Sequence, residues 1–472
     1  MMTMNEATLT FIREHAADDV RQLALRYSGR RSEGDVDIPF ALDQISGRQT
    51  ALRKLPSWAA TDDLWYPPHL SMEQCSSEPA ARYKAELVDW LLGTEGRATL
   101  MDLTGGFGVD FAFMAQSKAV GRAVYVERNE ELCNLARHNF PLLGLKRAEV
   151  VCSTAEEFLD LAGGSEGLME GPTVIFMDPA RRDDHGGRTY ALADCTPNVL
   201  ELMDKLTKYQ GDECVVLLKL SPMLDWRKAV SDIGSERVRE VHIVSVGGEC
   251  KELLLAVECQ GNKVTKCQGN KNESGDETAL FCVNLESDDP SFVLPSIREE
   301  HTALPYATPQ PGDILFEPNA SLMKAGCFAA LSERYGVAPL AHDSHLFLQS
   351  NKVTRYQGTT SLLAFGAKRR KNKVTEEQGD KGTREQGDKG DRLPGRVFRV
   401  EAVTTMGKRE LRQALQGIAQ ANITTRNFPM KPEELRRKLK LKEGGDTYIF
   451  ATTLAPTEGN QKRHVLLICC QS

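Results

Sequence analysis

The most informative change in the pattern of apolar and polar positions lies near residue 100. Residues 99–103 are mostly apolar and predict a short buried strand. Gly105, Gly106 and Gly108 follow, where the backbone can turn tightly and leave room for a ligand. From Val109 onwards the apolar positions recur at helical spacing. A strand, a glycine turn and a helix N-terminus in this order predict the first unit of a nucleotide-binding α/β sheet.

Further apolar stretches predict the rest of this sheet. The stretch before Asp178 is almost wholly apolar, as expected for a parallel strand that is covered on both faces. The last two stretches are joined by Gly247 and Gly248, which predict a closing β-hairpin. The pattern therefore predicts an α/β fold with a seven-stranded sheet. Its strands are expected at residues 99–103, 123–126, 148–152, 173–177, 214–220, 238–246 and 251–259.

The flanking regions have different patterns. The N-terminal region is mainly helical, and Ser76 or Ser77 is placed to cap its last helix. The polar string N-K-V-T-x-x-Q-G occurs three times and predicts disordered insertions in loops. Small α+β units lie towards the C-terminus. The predicted domains are an N-terminal helical region (1–92), the large α/β domain (93–285), a small α+β segment (286–350), a disordered repeat insertion (351–395) and a basic C-terminal domain (396–472).

Charge is distributed unevenly along the 472 residues, which are enough for two to four domains. From Arg396 to the end there are 14 Lys and Arg residues against 7 Asp and Glu residues, a net charge of +7, within a chain whose net charge is −7. This asymmetry suggests a domain that faces nucleic acid, attached to an acidic body. A basic helix face that is merely solvated remains the alternative.

Several classes of protein are disfavoured. No stretch approaches the roughly 20 apolar residues of a membrane span, and the N-terminus lacks a signal-peptide pattern, so we expect a cytoplasmic protein. The 12 cysteines lack C-x-x-C spacing and predict reduced thiols, neither a disulfide framework nor a zinc site. His342 and His345 are three apart on a predicted strand and would face opposite sides, so no metal is expected.

Glu127 and Phe111 help to identify the ligand of the glycine turn. Glu127 ends the second strand, nineteen residues after Gly108, where an acid can accept hydrogen bonds from ribose hydroxyls. Phe111 takes the place of the third glycine in G-x-G-x-x-G, which makes a nicotinamide dehydrogenase a distant alternative. The string D-L-T-G-G-F-G resembles motif I of class I S-adenosylmethionine-dependent methyltransferases. This resemblance implies that S-adenosylmethionine is held by Asp102, Thr104, Gly105, Gly106, Gly108 and Glu127.

The resemblance extends to neighbouring positions. A helix directly before motif I usually packs over the cofactor, which would bring Gln74 and Ser76 to the border of the site, although capping is the simpler role for the serine. Methyltransferases often have an acid after the third strand that binds the adenine amino group. Here Ser153 and Thr154 occupy that place, so Thr154 is a candidate and the adenine contact is left open.

A second motif, D-P-A-R, follows the apolar strand 173–177. Its Asp178 and Pro179 stand at the carboxyl end of that strand, where open α/β sheets bind ligands. The motif resembles motif IV, [D/N]-P-P-[Y/F/R], of methyltransferases that modify amino groups and nucleobases. This implies that Asp178 and Pro179 orient a target amine. The aromatic residue of the amino-methylating pattern is missing and is replaced by Ala180-Arg181, so a stacking partner must come from elsewhere, with Tyr190 and Phe107 as candidates.

Basic residues near this motif are candidate substrate contacts. Arg181 and Arg182 could clamp phosphate. Lys219, at the end of the fifth strand, is either a phosphate contact or a surface lysine at the edge of the sheet. Ser221 is followed directly by Pro222, without the nucleophilic cysteine that uracil-methylating enzymes carry at this point, so a covalent cysteine mechanism is disfavoured.

The whole chain resembles a bacterial methyltransferase family in which the catalytic domain is followed by a ferredoxin-like segment and a C-terminal THUMP-like domain. The strings that carry this resemblance are D-P-A-R-R, E-P-N-A-S-L-M-K-A-G, N-I-T-T-R-N-F-P-M and G-G-D-T-Y-I-F-A-T-T-L. THUMP domains present RNA to attached modifying enzymes. The resemblance therefore implies methylation of a base nitrogen of structured RNA, either rRNA or tRNA. The alternatives are a methyltransferase that acts on a small molecule or protein, and a non-catalytic RNA-binding protein with a relic fold.

Overall fold

The computed structural model describes residues 5–93, 96–162, 171–181, 192–207, 214–259, 278–298, 301, 305–349, 392–456 and 463–471. The three N-K-V-T-x-x-Q-G strings, Arg182 and Tyr190 lie outside these residues. The described chain forms two compact units, residues 1–241 with 252–278 and residues 242–251 with 279–472. Among the described helices, none is long and apolar enough to cross a membrane.

The first unit begins with a helical region, as predicted. Asp37 caps its longest helix, because the carboxylate accepts a hydrogen bond of 3.1 Å from the backbone amide of Phe40. Leu23, Tyr27 and Ile45 are buried in the core of this region. Its elements are α1 (Glu6–Glu14), α2 (Val20–Arg26), β1 (Ser32–Glu33), β2 (Val36–Asp37), α3 (Ile38–Lys54), α4 (Pro56–Ala59), α5 (His69–Gln74) and α6 (Glu78–Leu92).

The α/β part of this unit supplies a sheet covered by helices. Its strands are β3 (Ala98–Asp102), β4 (Val120–Glu127), β5 (Glu149–Cys152), β6 (Thr173–Met177), β9 (Cys214–Leu220), β10 (Val238–Val246) and β11 (Glu249–Glu258). Its helices are α7 (Val109–Ala115), α8 (Glu130–Leu142), α9 (Ala155–Ala162), α10 (Val199–Leu206) and α11 (Trp226–Ile233). A short antiparallel pair, β7 (Ala180–Arg181) and β8 (Cys195–Thr196), lies outside the sheet.

These strands stand in the order β10-β11-β9-β6-β3-β4-β5 within a sheet of nine strands, which continues beyond β10 with Ala279–Leu285 and then Phe292–Leu294. Strands β9, β6, β3, β4 and β5 run parallel, and β11 is antiparallel to β9. The chain leaves β3 towards β4 on one side and later returns to β6 on the other, so the carboxyl ends of β3 and β6 flank the crevice where such sheets bind ligands. The predicted α/β sheet, with its parallel strands and the antiparallel strand β11, is therefore confirmed, but it has nine strands and not seven.

One prediction about the cysteines is wrong. Cys214, at the start of β9, and Cys259, just after β11, are joined in a disulfide with their Cα atoms 5.5 Å apart. The sequence predicted reduced thiols throughout. The two residues are 45 positions apart, and only the antiparallel pairing of β11 with β9 brings them together.

The second unit is α+β, as predicted. Its elements are β12 (Ala279–Leu285), β13 (Phe292–Leu294), β14 (Ile314–Pro318), α12 (Ala320–Ala325), α13 (Phe328–Tyr335), β15 (Val337–Pro339), β16 (Phe347–Gln349), β17 (Gly395–Thr404), α14 (Lys408–Ala414), β18 (Asn422–Arg426), α15 (Pro432–Leu439), β19 (Thr447–Leu454) and β20 (Arg463–Gln471). A seven-stranded sheet has the order β15-β16-β14-β17-β20-β19-β18, in which β18 and β19 are parallel. Leu315, Phe398, Phe450 and Leu467 lie in its core.

The string E-P-N-A-S-L-M-K-A-G has a structural role in this unit. The buried carboxylate of Glu317 accepts hydrogen bonds from Arg396 (2.5 Å) and Arg426 (3.0 Å). Asn319 caps α12, since its side chain accepts a hydrogen bond of 3.2 Å from the amide of Leu322. The string therefore ties β14 to β17 and β18.

The two histidines considered as metal ligands lie in a different element from the one predicted. Strand β15 ends at Pro339, and His342 lies in the following turn. His345 has a positive φ of 52°, so the alternation of a strand does not apply to the pair. Within the described ranges, no group of three or more His, Cys, Asp or Glu side chains is placed to hold a metal ion.

Candidate active site

A cavity of about 980 Å³ opens at the carboxyl ends of β3, β4, β6 and β9. Its walls come from the segment before α6, the glycine turn after β3, the end of β4, the start of α9 and the segment around β8. Converging strand ends supply most of its polar groups, as in other open α/β sheets.

The glycine turn fits closely against a buried aromatic cluster. A Cβ atom on Gly105 would lie 2.3 Å from the ring of Tyr125. The hydroxyl of Tyr125 donates a hydrogen bond of 2.5 Å to the carbonyl of Gly106, whose φ is +59°. Phe111 is fully buried, with its ring centroid 5.4 Å from Tyr125 and 5.0 Å from Phe140. Phe111 therefore packs beneath the turn as part of its support.

Two carboxylates flank the turn. Glu127 accepts hydrogen bonds of 2.8 Å from the backbone amides of Gly106 and Asn129, so the end of β4 and the turn are held together. Asp102 accepts a hydrogen bond of 2.9 Å from the amide of Thr104. Burial raises the pKa of Asp102 well above its usual value, and the hydrogen bond from Thr104 opposes this rise.

We expect Gly105→Ala to weaken binding of S-adenosylmethionine strongly, because the added methyl group overlaps the Tyr125 ring and must displace the turn. Isothermal titration calorimetry with the cofactor measures the effect, and thermal unfolding shows how far the fold itself suffers. Gly407→Ala is the matched control, since its Cβ would approach other atoms no closer than 3.2 Å. Equal affinity in the Gly105→Ala variant and the wild type would contradict a role of this turn in binding.

Asp178 follows β6 and stands opposite the glycine turn. Its backbone amide donates a hydrogen bond of 2.7 Å to the hydroxyl of Thr104, which lies 3.3 Å from Oδ1 of Asp102. Its carboxylate Oδ2 accepts a hydrogen bond of 2.7 Å from Nζ of Lys219, and its side chain is 41% exposed, towards the cavity. Partial removal of the carboxylate from water at the cavity wall raises the pKa of Asp178, and the Lys219 ammonium opposes this rise.

Lys219 belongs to a buried cluster of charges. Its Nζ lies 3.2 Å from Oδ2 of Asp110 and 4.0 Å from Oε1 of Glu252. Lys84, fully buried, forms ion pairs with Glu252 and with Oδ1 of Asp110, the latter at 3.1 Å. Burial alone would lower the pKa of Lys219, but Asp110, Asp178 and Glu252 raise it well above the usual value. Burial would likewise raise the pKa of Asp110, but Lys219 and Lys84 lower it to about 2.

Ser76 completes this lysine–carboxylate cluster, which we define as Ser76, Lys84, Asp110, Asp178, Lys219 and Glu252. Its hydroxyl lies 2.8 Å from Asp110 and 2.7 Å from Glu252, and it accepts a hydrogen bond of 3.2 Å from Lys84. A hydroxyl has one proton and can donate fully to only one of the two carboxylates. Ser77 occupies the predicted N-cap position of α6, but its side chain makes no capping hydrogen bond.

Most of the predicted site residues line the cavity together. They are Gln74, Ser76, Asp102, Thr104, Gly105, Gly106, Gly108, Glu127, Thr154, Asp178 and Lys219. Pro179 is buried next to Asp178. Thr154 also caps α9, since its hydroxyl accepts a hydrogen bond of 3.2 Å from the amide of Glu157. The side chain of Arg181 and the whole of Arg182 fall outside the described part of the chain.

The structure alters the predictions about two single residues, Lys219 and Phe107. The side chain of Lys219 is only 10% exposed, so the alternative of a surface lysine is wrong. Phe107, a candidate for stacking on the substrate, packs edge-on against Trp58 at 5.0 Å between ring centroids and is almost fully buried. Its ring therefore forms part of the cavity wall.

Sequence reasoning did not single out Lys84, Asp110 or Glu252. A signal for Lys84 was available, because it shares one face of α6 with the buried residues Leu87, Val88 and Leu91. A lysine on an apolar stripe needs a buried partner. Glu252 likewise stands directly before a run of apolar strand residues.

Comparison with known proteins agrees with this architecture. Residues 395–471 match the family model of a THUMP domain-like domain, and residues 315–356 match that of a ferredoxin-like domain. No curated protein matches the chain. A crystal structure of a proposed methyltransferase from Porphyromonas gingivalis W83 is 27% identical, with a TM-score of 0.71, and the match covers 100% of both chains.

Two further solved structures match only part of the chain. A proposed methyltransferase, yhhF from Escherichia coli, is 19% identical and covers 38% of this chain and 87% of its own, with a TM-score of 0.27. TrmK from M. capricolum, in complex with S-adenosylhomocysteine, is 9% identical and covers 39% and 72%, with a TM-score of 0.28. With such TM-scores, neither adds an argument about this chain.

The full-length match and the two domain matches agree with the order of the elements along the chain. The chain therefore carries a ferredoxin-like segment followed by a C-terminal THUMP domain-like domain, and its fold is similar along its whole length to that of the proposed methyltransferase from Porphyromonas gingivalis W83.

Proposed function

We propose that this protein transfers a methyl group from S-adenosylmethionine to structured RNA, either rRNA or tRNA. The observation that carries the proposal is that one cavity contains the glycine turn with Asp102 and Glu127 and also Asp178. The D-P-A-R motif suggests a base nitrogen as the acceptor, with Asp178 and Pro179 orienting it. A small molecule or a protein as substrate remains the alternative.

The residues present fit S-adenosylmethionine. The glycine turn leaves space for a ligand that larger side chains would fill. A Cβ on Gly106 would meet only the carbonyl of Thr104, at 3.7 Å, and would face the cavity. Carboxylates suit a ligand that carries an ammonium group, a sulfonium and ribose hydroxyls. Asp102, Thr104, Gly105, Gly106, Gly108 and Glu127 would hold this ligand, with Thr154 towards the adenine.

When bound, S-adenosylmethionine supplies a methyl group on a sulfonium, which needs no metal and no covalent enzyme intermediate. The work of the protein is then to position the acceptor and to exclude water. Asp178 is suited to this task because its backbone is fixed by Thr104 and one carboxylate oxygen is fixed by Lys219. Within the described residues the other oxygen, Oδ1, receives no hydrogen bond, and it would accept one from the acceptor group.

The C-terminal domain supports RNA as the substrate. It matches the THUMP-like model, and it carries the excess of positive charge along the chain. Helix α15 and the residues that follow present exposed cations, Arg437, Lys438, Lys440 and Lys442. Phosphate contacts by such side chains bind RNA without sequence preference and with strong salt dependence.

The test is transfer of labelled methyl from S-adenosylmethionine into RNA, protein and metabolite fractions from cells that lack this gene. We expect label in one RNA fraction, because the target site is unmodified in such cells. Label in protein or metabolites alone would overturn RNA as the substrate and leave the transfer reaction standing. Failure to bind S-adenosylmethionine in calorimetry would overturn the reaction as well.

Reversal of charge on the C-terminal domain should weaken RNA binding. For the triple variant Arg437→Glu/Lys438→Glu/Lys440→Glu, we expect the negative slope of log K against log[salt] to become shallower by about 2 to 3, because each lost phosphate contact removes roughly 0.7 to 0.9 from its magnitude. Fluorescence anisotropy with the labelled RNA fraction measures this slope. Arg21→Glu/Arg53→Glu/Lys146→Glu changes the net charge equally at exposed positions of the first unit and is the control. Equal slopes in the two triple variants would contradict a specific RNA contact by α15.

A further inference from the structure

We propose that the acceptor atom is a hydroxyl oxygen, the 2′-hydroxyl of a ribose in the RNA, with Lys219 donating a hydrogen bond to that oxygen and Asp178 accepting its proton. This inference rests on the proposed function and specifies its acceptor. It replaces the base nitrogen suggested by the D-P-A-R motif.

A hydrogen-bond donor and an acceptor are paired at the cavity wall. Nζ of Lys219 and Oδ2 of Asp178 are 2.7 Å apart, and both residues line the cavity. A hydroxyl group can donate its proton to a carboxylate and accept a hydrogen bond from an ammonium at the same time. An exocyclic base amine donates two hydrogen bonds and has no acceptor site for the ammonium. A ring nitrogen has one lone pair that can attack the methyl group, and a hydrogen bond from the Lys219 ammonium would occupy that lone pair.

This donor–acceptor pair supplies the chemistry that methylation of an alcohol needs. A hydroxyl is a weak nucleophile until its proton leaves, so it requires a base, and the negative charge that develops on oxygen requires a donor. An oxygen–carbon bond forms as the carbon–sulfur bond breaks, and the electron pair of the broken bond stays on sulfur. The hydroxyl proton passes to the Asp178 carboxylate, which returns it to water through the open side of the cavity. The sulfonium charge and the carboxylate charge are both neutralised, so the step balances.

Buried carboxylates hold the Lys219 ammonium in position at the cavity wall. Asp110 and Glu252 hold its Nζ at 3.2 and 4.0 Å, and these acids are themselves held by Lys84 and Ser76. Carboxylates on several sides keep the lysine charged, as its raised pKa indicates, and thus keep it a donor. Removing this many charges from water is costly, and such clusters at clefts are typical of functional sites. Lys84, Asp110 and Glu252 are therefore positioning residues.

The described part of the cavity wall also bears on whether a base could stack there. Ala180-Arg181 replaces the aromatic residue of the amino-methylating motif, and Tyr190 lies outside the described residues. The ring of Phe107 is engaged by Trp58. A ribose hydroxyl needs no stacking surface at this point, whereas a flipped base usually has one.

The chemical position of the methyl group gives the test. Labelled RNA from the transfer assay is hydrolysed completely in alkali, which cleaves only where a free 2′-hydroxyl is present. We expect the label in alkali-resistant dinucleotides. Label in mononucleotides would place the methyl group on a base and overturn the inference, while the proposed RNA methyltransferase function would stand. Absence of label from every RNA fraction would overturn both.

Variants of Lys219 test the assigned donor. We expect Lys219→Met to lower the dinucleotide label about 100-fold or more, the scale of losing one charge-stabilising donor, with S-adenosylhomocysteine binding unchanged in calorimetry. Lys219→Arg keeps a charged donor and should retain a measurable part of the transfer. This result would show that the loss in Lys219→Met comes from the missing donor and not from a folding defect. Lys228→Met removes an exposed lysine of α11 and is the control. Full activity of Lys219→Met would overturn the assignment.

A measurement on the cofactor-free protein separates the proposed pairing from a structural role. Titration of ¹³C-labelled aspartate carboxyl groups by NMR, assigned with Asp178→Asn, reports the pKa of Asp178. Because the Lys219 ammonium lowers this pKa, we expect Lys219→Met to raise it. An unchanged value would overturn the pairing of donor and acceptor.

Discussion

Asp178→Ala is expected to lower methyl transfer by about 1,000-fold, within the range found when a positioned acid–base group is removed. Binding of S-adenosylmethionine should persist, because the residues that flank the glycine turn, Asp102 and Glu127, remain. The hydrogen bond from the amide of residue 178 to Thr104 also remains, since it involves only the backbone. Labelled-methyl transfer measures the first effect and calorimetry the second.

Two companion variants sharpen this result. Asp160→Ala removes an exposed aspartate that pairs with Lys205 and should leave both measurements unchanged. Asp178→Asn keeps an oxygen that can orient an amine but loses the ability to take a proton at neutral pH. Strong loss in Asp178→Asn therefore agrees with a hydroxyl acceptor. If cofactor affinity fell as far as turnover in Asp178→Ala, the assignment of Asp178 to the acceptor would be wrong.

Lys84→Met is expected to destabilise the first unit by about 3 to 5 kcal/mol, because removing one partner of a buried ion pair leaves the other charges without compensation. Lys84 is fully buried against Asp110 and Glu252. All four tryptophans, Trp58, Trp65, Trp90 and Trp226, belong to this unit. Tryptophan fluorescence in a denaturant titration therefore measures its unfolding directly.

A double variant distinguishes uncompensated charge from lost packing. In Lys84→Met/Glu252→Met both members of an ion pair become apolar, a replacement that is often nearly neutral, so part of the lost stability should return. Lys228→Met, at an exposed position of α11, should change the free energy of unfolding by no more than about 0.5 kcal/mol. If the free energy of unfolding of Lys84→Met/Glu252→Met were lower than that of Lys84→Met by as much as an independent second substitution costs, the electrostatic explanation would be wrong.

The sequence predicted the parts of the site that depend on local pattern. The glycine turn at Gly105, Gly106 and Gly108 lies between a strand and a helix, as its spacing indicates, and Glu127 and Asp178 stand at the ends of their strands. In a parallel sheet the carboxyl ends of neighbouring strands meet at one edge. The proximity of residues at those ends can therefore be predicted from the sequence without knowledge of any long-range contact.

The cluster around Lys219 could not be found in this way. Lys84 and Glu252 are 168 positions apart and lie on a helix and on an antiparallel strand. Asp110 is on a third element, and no short motif relates the three. Only the packing of α6 over α7 and the insertion of β11 beside β9 make them neighbours. Likewise, the spacing of Cys214 and Cys259 in the sequence does not predict their disulfide, because the two cysteines become neighbours only through the pairing of β9 with β11.

The hydroxyl of Thr104 accepts the amide proton of Asp178 and lies within reach of Asp102. The loop expected to hold the methyl donor and the loop expected to hold the acceptor are thus joined through a single side chain. Substitutions that shift one loop will be transmitted to the other, so selection cannot adjust them separately. Descendants of such a protein would acquire new targets most readily by changing segments other than these two loops.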